Sequence, residues 1–251
     1  MDNFYLNLEP STFKLDLKDP TLKNNLTIVE WGVTSATKGY YHLDSNGTDS
    51  STFGYNATGT AVYTSGVKGS NALQMSGFTY YLDTTTRVIP SGMKTISFWF
   101  KKTSGPDFYG QLLSNSYVFG GVQTGTTIYT AGGGNLSFQI QGGGDNAGSN
   151  GLYTLTSSGI PMDGGWHHIV CQWDGTSNSN SGKIYVDGIL DSQSTNTKSE
   201  NPSGGSNLMI GNRWGGTATY GILDELIIEN TYWDSTFISY YYSMSKLKTR
   251  I

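Results

Sequence analysis

The sequence predicts an all-β protein, a two-sheet antiparallel β-sandwich built as one large domain. Three observations predict it. Gly, Ser, Thr, Asn and Tyr are abundant, with 34 Gly and 17 Tyr in 251 residues, while Glu and Ala are sparse. That balance disfavours helices and favours strands and turns. Short segments alternate apolar and polar residues with a period of two, as half-buried strands do. Gly/Ser/Asn-rich stretches at 132–134, 141–151 and 176–182 separate them, and many short strands spaced by such turns make a sandwich or barrel. A single sandwich of about 200–250 residues is common. Folding at this length hides about 70–75% of the unfolded surface, enough for a core without disulfides or metal.

Taken in order, Phe13–Leu17 and Leu26–Val29 are candidate strands in a less regular N-terminal segment, residues 1–38. This segment supplies either the first strands of the sandwich or an extension that docks on a partner. Residues 39–251 form the main domain. In Lys94–Lys102, Ile96, Phe98 and Phe100 face one side and Thr95, Ser97 and Trp99 the other. His167–Trp173 alternates in the same way. Lys183–Leu190 reads as two strand halves around Asp187-Gly188, a pair suited to a tight type I′ turn. Asn207–Gly211 and Ile222–Glu229 are two further strands, and Asp234 is placed to cap a short helix over Ser235–Tyr242.

Charge and cysteine content exclude several classes. Only 14% of residues are charged, the net charge is −4, and the sole basic cluster is 246–250. A duplex nucleic-acid partner is therefore not expected. Cys171 is the only cysteine, so no intrachain disulfide can form. No run reaches the ~18 apolar residues that span a bilayer, so membrane insertion is not expected. The start, Met1-Asp2-Asn3-Phe4, lacks the basic and apolar regions of a signal peptide. The expectation is an extracellular or virion-surface protein, either a mature chain or one that leaves the cell by another route, such as lysis.

Six ordered segments carry a resemblance. Gly165-Trp166-His167-His168-Ile169-Val170-Cys171-Gln172-Trp173-Asp174-Gly175 is followed by Gly182-Lys183-Ile184-Tyr185-Val186-Asp187-Gly188. Asn207-Leu208-Met209-Ile210-Gly211 and Gly221-Ile222-Leu223-Asp224-Glu225-Leu226-Ile227-Ile228 come after them. Lys68–Gly77 and Ile96–Phe100 come before. Over roughly residues 40–242 this pattern resembles the laminin-G-like, concanavalin A-like jelly-roll family. The resemblance implies two curved antiparallel sheets with one concave face. It leaves function open, because lectins, adhesion modules, virion parts and glycosidases share the scaffold.

The resemblance also implies a structural calcium ion, with Asp224 as a ligand and further oxygens from early loops. Here Asp44 and Asp49 would supply side chains, and Gly69 and Ser70 backbone carbonyls, a donor set suited to a hard cation. Alternation places Asp224 on the face of Ile222, Leu226 and Ile228, where a carboxylate must be paired or coordinated. The alternative is that Asp224 caps backbone amides and that Asp44 and Asp49 are ordinary turn residues. His167 and His168 are strand neighbours pointing to opposite faces, so they do not share a zinc ion.

No catalytic residue is expected. Glu occurs only at 9, 30, 200, 225 and 229. Glu225 and Glu229 share a strand face but lie ~13–14 Å apart along it, too far for a retaining pair at ~5–5.5 Å. They read as solvent-facing charges. No Gly-x-Ser-x-Gly elbow is present, and Cys171 sits mid-strand as a packed thiol. Aromatic and amide side chains suit sugar recognition instead. The candidates are Arg213, Trp214 and Tyr220 before the Asp224 strand, and Asp145 and Asn146 in another loop.

The expected function is thus a non-enzymatic binding or display protein. It would be a virion surface component of a phage (head decoration, head fibre or tail adhesin) attaching to host glycans. Its partners would be glycans or other surface ligands and structural proteins of a larger assembly. The alternatives are a stand-alone carbohydrate-binding module, and a glycoside hydrolase or lyase with an unrecognised site.

Overall fold

A computed structural model describes residues 33–77, 80–103, 105, 110–119, 122–131, 134–142, 152–159, 163–195, 200, 205–211 and 219–247. The candidate strands at 13–17 and 26–29 lie outside the described residues, as do Arg213, Trp214, Asp145 and Asn146. Sixteen strands and one helix are seen among them.

Two antiparallel sheets stack face to face. The first contains β1 (Thr37–Tyr41), β3 (Val62–Thr64), β4 (Ala72–Gly77), β6 (Lys94–Lys102), β12 (His167–Trp173), β13 (Gly182–Val186), β14 (Ile189–Gln193) and β16 (Thr219–Glu229). Its order is β14-β13-β12-β6-β16-β4-β3, with β1 also paired to β16. The second contains β2 (Ala57–Thr60), β5 (Tyr81–Thr84), β7 (Gln111–Ser114), β8 (Tyr117–Phe119), β9 (Val122–Thr130), β10 (Leu136–Gly142), β11 (Leu152–Thr156) and β15 (Met209–Gly211). Its order is β11-β10-β9-β7-β15-β5-β2, with β8 paired to β9.

The core lies between the sheets. Ile96, Phe98 and Phe100 of β6, Ile169, Cys171 and Trp173 of β12, and Leu223, Leu226 and Ile228 of β16 face it from the first sheet. Leu82, Leu113, Ile128, Phe138, Ile140 and Ile210 face it from the second. The expected alternation in β6 therefore holds, as do β12 and the hairpin. Asp187 and Gly188 both take positive φ (51° and 80°), the geometry that matches the twist of two-residue hairpins.

The predicted short helix is α1, Ser235–Leu247. Asp234 Oδ1 accepts the amide of Phe237 at 2.8 Å, closing an orphan donor of its first turn. Phe237, Ile238 and Tyr241 recur at helical spacing and bury against Val170, Tyr185 and Ile227. The helix thus roofs the outer face of the first sheet, and Trp233 joins the same cluster.

Strand β16 departs from simple alternation. Its register against β6 shifts between Asp224 and Ile227, so one extra residue is inserted there. Glu225 at the shift has φ of 49°, a left-handed conformation that costs roughly 1–2 kcal/mol for a residue with a Cβ. A bulge of this kind reverses which residues face inward. Leu223 faces the core before it, and Leu226 and Ile228 face the core after it.

Candidate functional site

The bulge corrects the expected position of Asp224. It pairs opposite Trp99, on the outer face of the first sheet, not beside Leu226 and Ile228. Alternation counted straight through the extra residue gives the wrong face. Asp224 is fully buried. Oδ2 accepts the amides of Val67 (2.8 Å) and Lys68 (3.0 Å), and Oδ1 accepts that of Glu225 (3.0 Å). Burial, with Glu225 alongside, pushes its carboxyl up to about 7 against the pull of those amides.

Asp44 and Asp49 are used in the same manner. Asp44 Oδ1 accepts the amides of Ser70 (2.8 Å) and Asn71 (3.0 Å). Gly69, at φ of 59°, lies so close to the Asp44 carboxylate that a Cβ there would collide with it. Asp49 accepts the amides of Tyr40, Ser51 and Tyr55, each at 2.8 Å, and the Ser51 hydroxyl at 2.7 Å. It thereby shapes the loop that presents Phe53. Together Asp44 and Asp224 fix the bend over residues 66–71. Among the described residues no three His, Cys, Asp or Glu side chains converge as a cation site. The five residues named for calcium stand here as acceptors for amides or parts of the bend they hold, and a cation at this place is a proposal for titration.

Glu225 and Glu229 are not the solvent-facing charges expected, since they are only 5% and 6% exposed. Glu225 accepts the Tyr40 hydroxyl (2.6 Å) and lies 3.0 Å from His42 Nδ1. Glu229 accepts the Thr37 hydroxyl (2.9 Å), the Thr231 hydroxyl (3.0 Å) and the Trp233 indole N–H (2.6 Å). Segments that the strand pattern could not place, around Tyr40 and Trp233, cover both carboxylates.

The two histidines diverge as expected. His167 lies between Asp187 Oδ2 (2.7 Å from Nδ1) and Asp163 Oδ1 (3.1 Å from Nε2). Burial opposes its proton, but the hydrogen bonds to both carboxylates outweigh it, and its pKa is raised. Asp187 Oδ1 also accepts the His168 amide (3.0 Å). One turn carboxylate therefore ties the hairpin to the Trp-His-His strand, which gives that motif a structural purpose. His168 is fully buried beside Trp99 and Tyr241, with Nε2 2.8 Å from the Ser97 hydroxyl. Burial, aided by Lys68, lowers its pKa to about 3. Its Nδ1 has no hydrogen-bond partner, so nothing orients this Ser–His pair as a nucleophile–base couple. Cys171 is fully buried, and burial pushes its thiol up.

Of the expected sugar contacts, Tyr220 alone falls among the described residues. It sits near the start of β16, half-buried, with Lys102 Nζ 5.9 Å from its ring centre and Gly105 against the ring.

The outer face of the second sheet was not anticipated. Pairing sets its outward residues in rows across the strands. One row runs through Thr154, Gln139, Thr127, Ser114, Met209, Asp83 and Thr58. The next contains Thr156, Ser137, Tyr129 and Gln111, then Gly211, Tyr81 and Thr60. These side chains bond to each other. Gln139 Nε2 donates to the Tyr129 hydroxyl (2.9 Å), Ser137 and Thr156 hydroxyls pair at 3.2 Å, and those of Ser114 and Thr127 at 3.1 Å. Gln111 Nε2 reaches the Gly211 carbonyl at 3.5 Å. Tyr129, Gln111, Gln139 and Tyr81 are half-exposed. The signal was available as the polar half of β9 and β10, but Gly, Thr and Gln make that half look like loop.

A sequence profile described as the concanavalin A-like lectin/glucanases superfamily (Laminin_G_3) matches residues 75–236, more than half of the chain. The chain belongs to that superfamily. A comparison with curated protein sequences gives no match. Among solved structures, this lectin-like sandwich is similar to the binding domain of Paraclostridial Mosquitocidal Protein 1. The TM-score is 0.64 and the identity 13%, over 85% of this chain and 53% of that one. It is similar to domain 4 of AbnA, an extracellular GH43 arabinanase from Geobacillus stearothermophilus, in complex with arabinotriose. The TM-score is 0.61 and the identity 17%, over 81% and 96% of the two chains. The binding domain of botulinum neurotoxin DC, in complex with rat synaptotagmin II, matches with TM-score 0.61 and 14% identity, over 85% and 52%. The lectin-like chain spans about half the length of the toxin domains it matches. At these identities the likeness is one of fold. No helix among the described residues is long and apolar enough to cross a membrane.

Proposed function

We propose that this lectin-like sandwich is a non-enzymatic attachment domain that takes glycans on the outer face of its second sheet. The observation that carries the reading is the face itself, a pre-bonded array of Tyr129, Gln139, Gln111, Ser137 and Thr156, of which all but Ser137 are at least partly exposed. Phenol rings offer an apolar surface with a polar edge, and amide and hydroxyl groups match sugar hydroxyls. Neighbouring folds include a carbohydrate-bound domain and toxin binding domains, which supports recognition over turnover. The setting we propose is an extracellular or virion surface: a phage head decoration, head fibre or tail adhesin. A hydroxyl- and amide-rich chain with 14% charged residues and one cysteine supports it.

The arabinotriose-bound neighbour favours a second reading, a carbohydrate-binding module working on its own. A hydrolase or lyase has less support, because Glu225 and Glu229 are both buried and occupied. A glycan array tests the proposal. Binding that is lost in Gln139→Ala is expected. An array with no glycan bound at millimolar concentration would sink it. Labelling of intact particles by an antibody to the chain would separate the display setting from a free module.

A further inference from the structure

We infer that the Lys94 amine and the Glu200 carboxyl condense into an intramolecular amide, a covalent staple between the first sheet and the connection that leads to the second. The staple is independent of glycan recognition. Lys94 opens β6 on the core-facing side of that strand, in phase with Ile96, Phe98 and Phe100, and pairs in register with Trp173. Its side chain is fully buried, and only 4% of the Glu200 side chain is exposed. Glu200 comes from the stretch between β14, in the first sheet, and β15, in the second. The two residues stand 106 positions apart in the sequence.

The atoms are arranged for condensation. Lys94 Nζ lies 2.6 Å from Glu200 Oε1, and 5.0 Å from the centre of the Trp173 ring. Gly92 donates its amide to the other carboxyl oxygen, Oε2, at 2.5 Å. It does so from φ of 77°, a conformation glycine adopts without strain. Burial lowers the pKa of the Lys94 ammonium, against the pull of Glu200 and with the help of Arg87. A desolvated lysine amine is an activated nucleophile, and holding it against its target replaces a bimolecular encounter. The ion pair also carries the desolvation of two charges, which a neutral amide does not.

The step balances within the pair. One ammonium proton passes to Oε1, leaving a neutral amine and a carboxylic acid. Nζ then attacks Cδ, and the negative charge that develops on Oε2 meets the Gly92 N–H, as in an oxyanion hole. A second proton moves from the nitrogen to the Oε1 hydroxyl, the Cδ–Oε1 bond breaks, and one water leaves. The third proton stays on the nitrogen, which is now an uncharged amide. The step needs no oxidant or reductant. Cys171 is the only cysteine, so no intrachain disulfide can fasten the sandwich, whereas an amide holds in any redox compartment.

The mass of the full chain, folded and then denatured, tests this. The wild type should be lighter than its sequence by one water, and proteolysis should release a branched peptide joining Lys94 to Glu200. Lys94→Met and Glu200→Ala should each show the full sequence mass. The double variant Lys94→Met/Glu200→Leu replaces the pair with apolar groups and should keep the fold, so its full mass separates a missing bond from misfolding. On a denaturing gel the wild type, with its closed loop, should run faster than the double variant. A wild type that keeps the full sequence mass after prolonged incubation in the folded state would overturn the inference. So would a water loss that persists in Lys94→Met or that maps to a succinimide at Asp187-Gly188.

Discussion

The two outer faces of the sandwich differ in almost every respect. On the first sheet, Trp233, Phe237, Ile238 and Tyr241 roof the strands. Beneath and beside that roof, Asp224, Glu225, Glu229 and His168 are buried, and each is engaged in hydrogen bonding. On the second sheet, hydroxyl, amide and phenol groups bond to one another, and Tyr129, Gln139, Thr127 and Thr156 stay partly open to solvent while Ser114 and Ser137 are buried. Ionisable groups with strongly shifted titration often mark functional sites. Here Asp224 and His168 lie buried on the covered face, and Tyr41 and Cys171 are shifted by burial in the core between the sheets. Shifted pKa values in this molecule mark structure, and the candidate function lies on the face that has few charges.

The comparison can be broken by mutation, starting with the roof. Trp233→Ala removes a buried indole and its bond to Glu229, and should cost about 3–5 kcal/mol. Chemical denaturation would measure this, and glycan affinity should be unchanged while the protein is folded. A loss under 1 kcal/mol would mean that the helix is not a true roof. Asp224→Asn comes next. One amide oxygen cannot replace two carboxylate oxygens that accept three backbone amides, and the expected cost is about 2–3 kcal/mol. Because the Asp224 carboxyl is raised to about 7, the folded state favours its protonated form. Its ionisation penalty is absent below the ordinary value of 3.8, grows as pH rises from there to about 7, and is complete above that. The mutational cost in Tm should therefore be larger at pH 5 than at pH 8.

Calcium is a sharper probe of the same bend. If amides alone satisfy Asp44 and Asp224, adding millimolar calcium after chelation should shift Tm by less than about 1 °C. A rise of several degrees that disappears in Asp224→Asn would show that these carboxylates take the cation.

The His167 lock has a smaller, pH-dependent effect. The pKa of His167 is raised from its ordinary 6.5, so its contribution is complete below about 6.5 and is lost as pH rises past the folded value. His167→Gln should thus lower Tm more at pH 6 than at pH 8.5. Equal losses at both would show that Asp163 and Asp187 do not hold a proton there.

Much of the fold was legible because its signals are local. Ile96, Phe98 and Phe100 declared their face by alternation, and Asp187-Gly188 declared its turn by chemistry. Asp234 marked the start of the helix. The site was harder to read. The extra residue at Glu225 moves Asp224 to the other face, and nothing in Gly221–Glu229 signals that insertion. Glu225 and Glu229 looked exposed because their cover, Tyr40 and Trp233, comes from segments without strand periodicity. Tyr129, Gln139 and Gln111 went unnoticed because a polar face lacks the apolar repeat that makes a strand visible. Only pairing with neighbours turns these scattered residues into rows.

The smallest expected change in stability accompanies the most informative change in binding. Tyr129 on the open face and Tyr240 on the roof helix, 37% exposed, can each be changed to Ala, with stability effects near 0.5 kcal/mol or about 1 kcal/mol at most. Titration of both variants with the best array glycan tests the central claim most directly. The account predicts about a tenfold loss for Tyr129→Ala and none for Tyr240→Ala. The reverse pattern, with the roof variant losing affinity and the open-face variant keeping it, would contradict it.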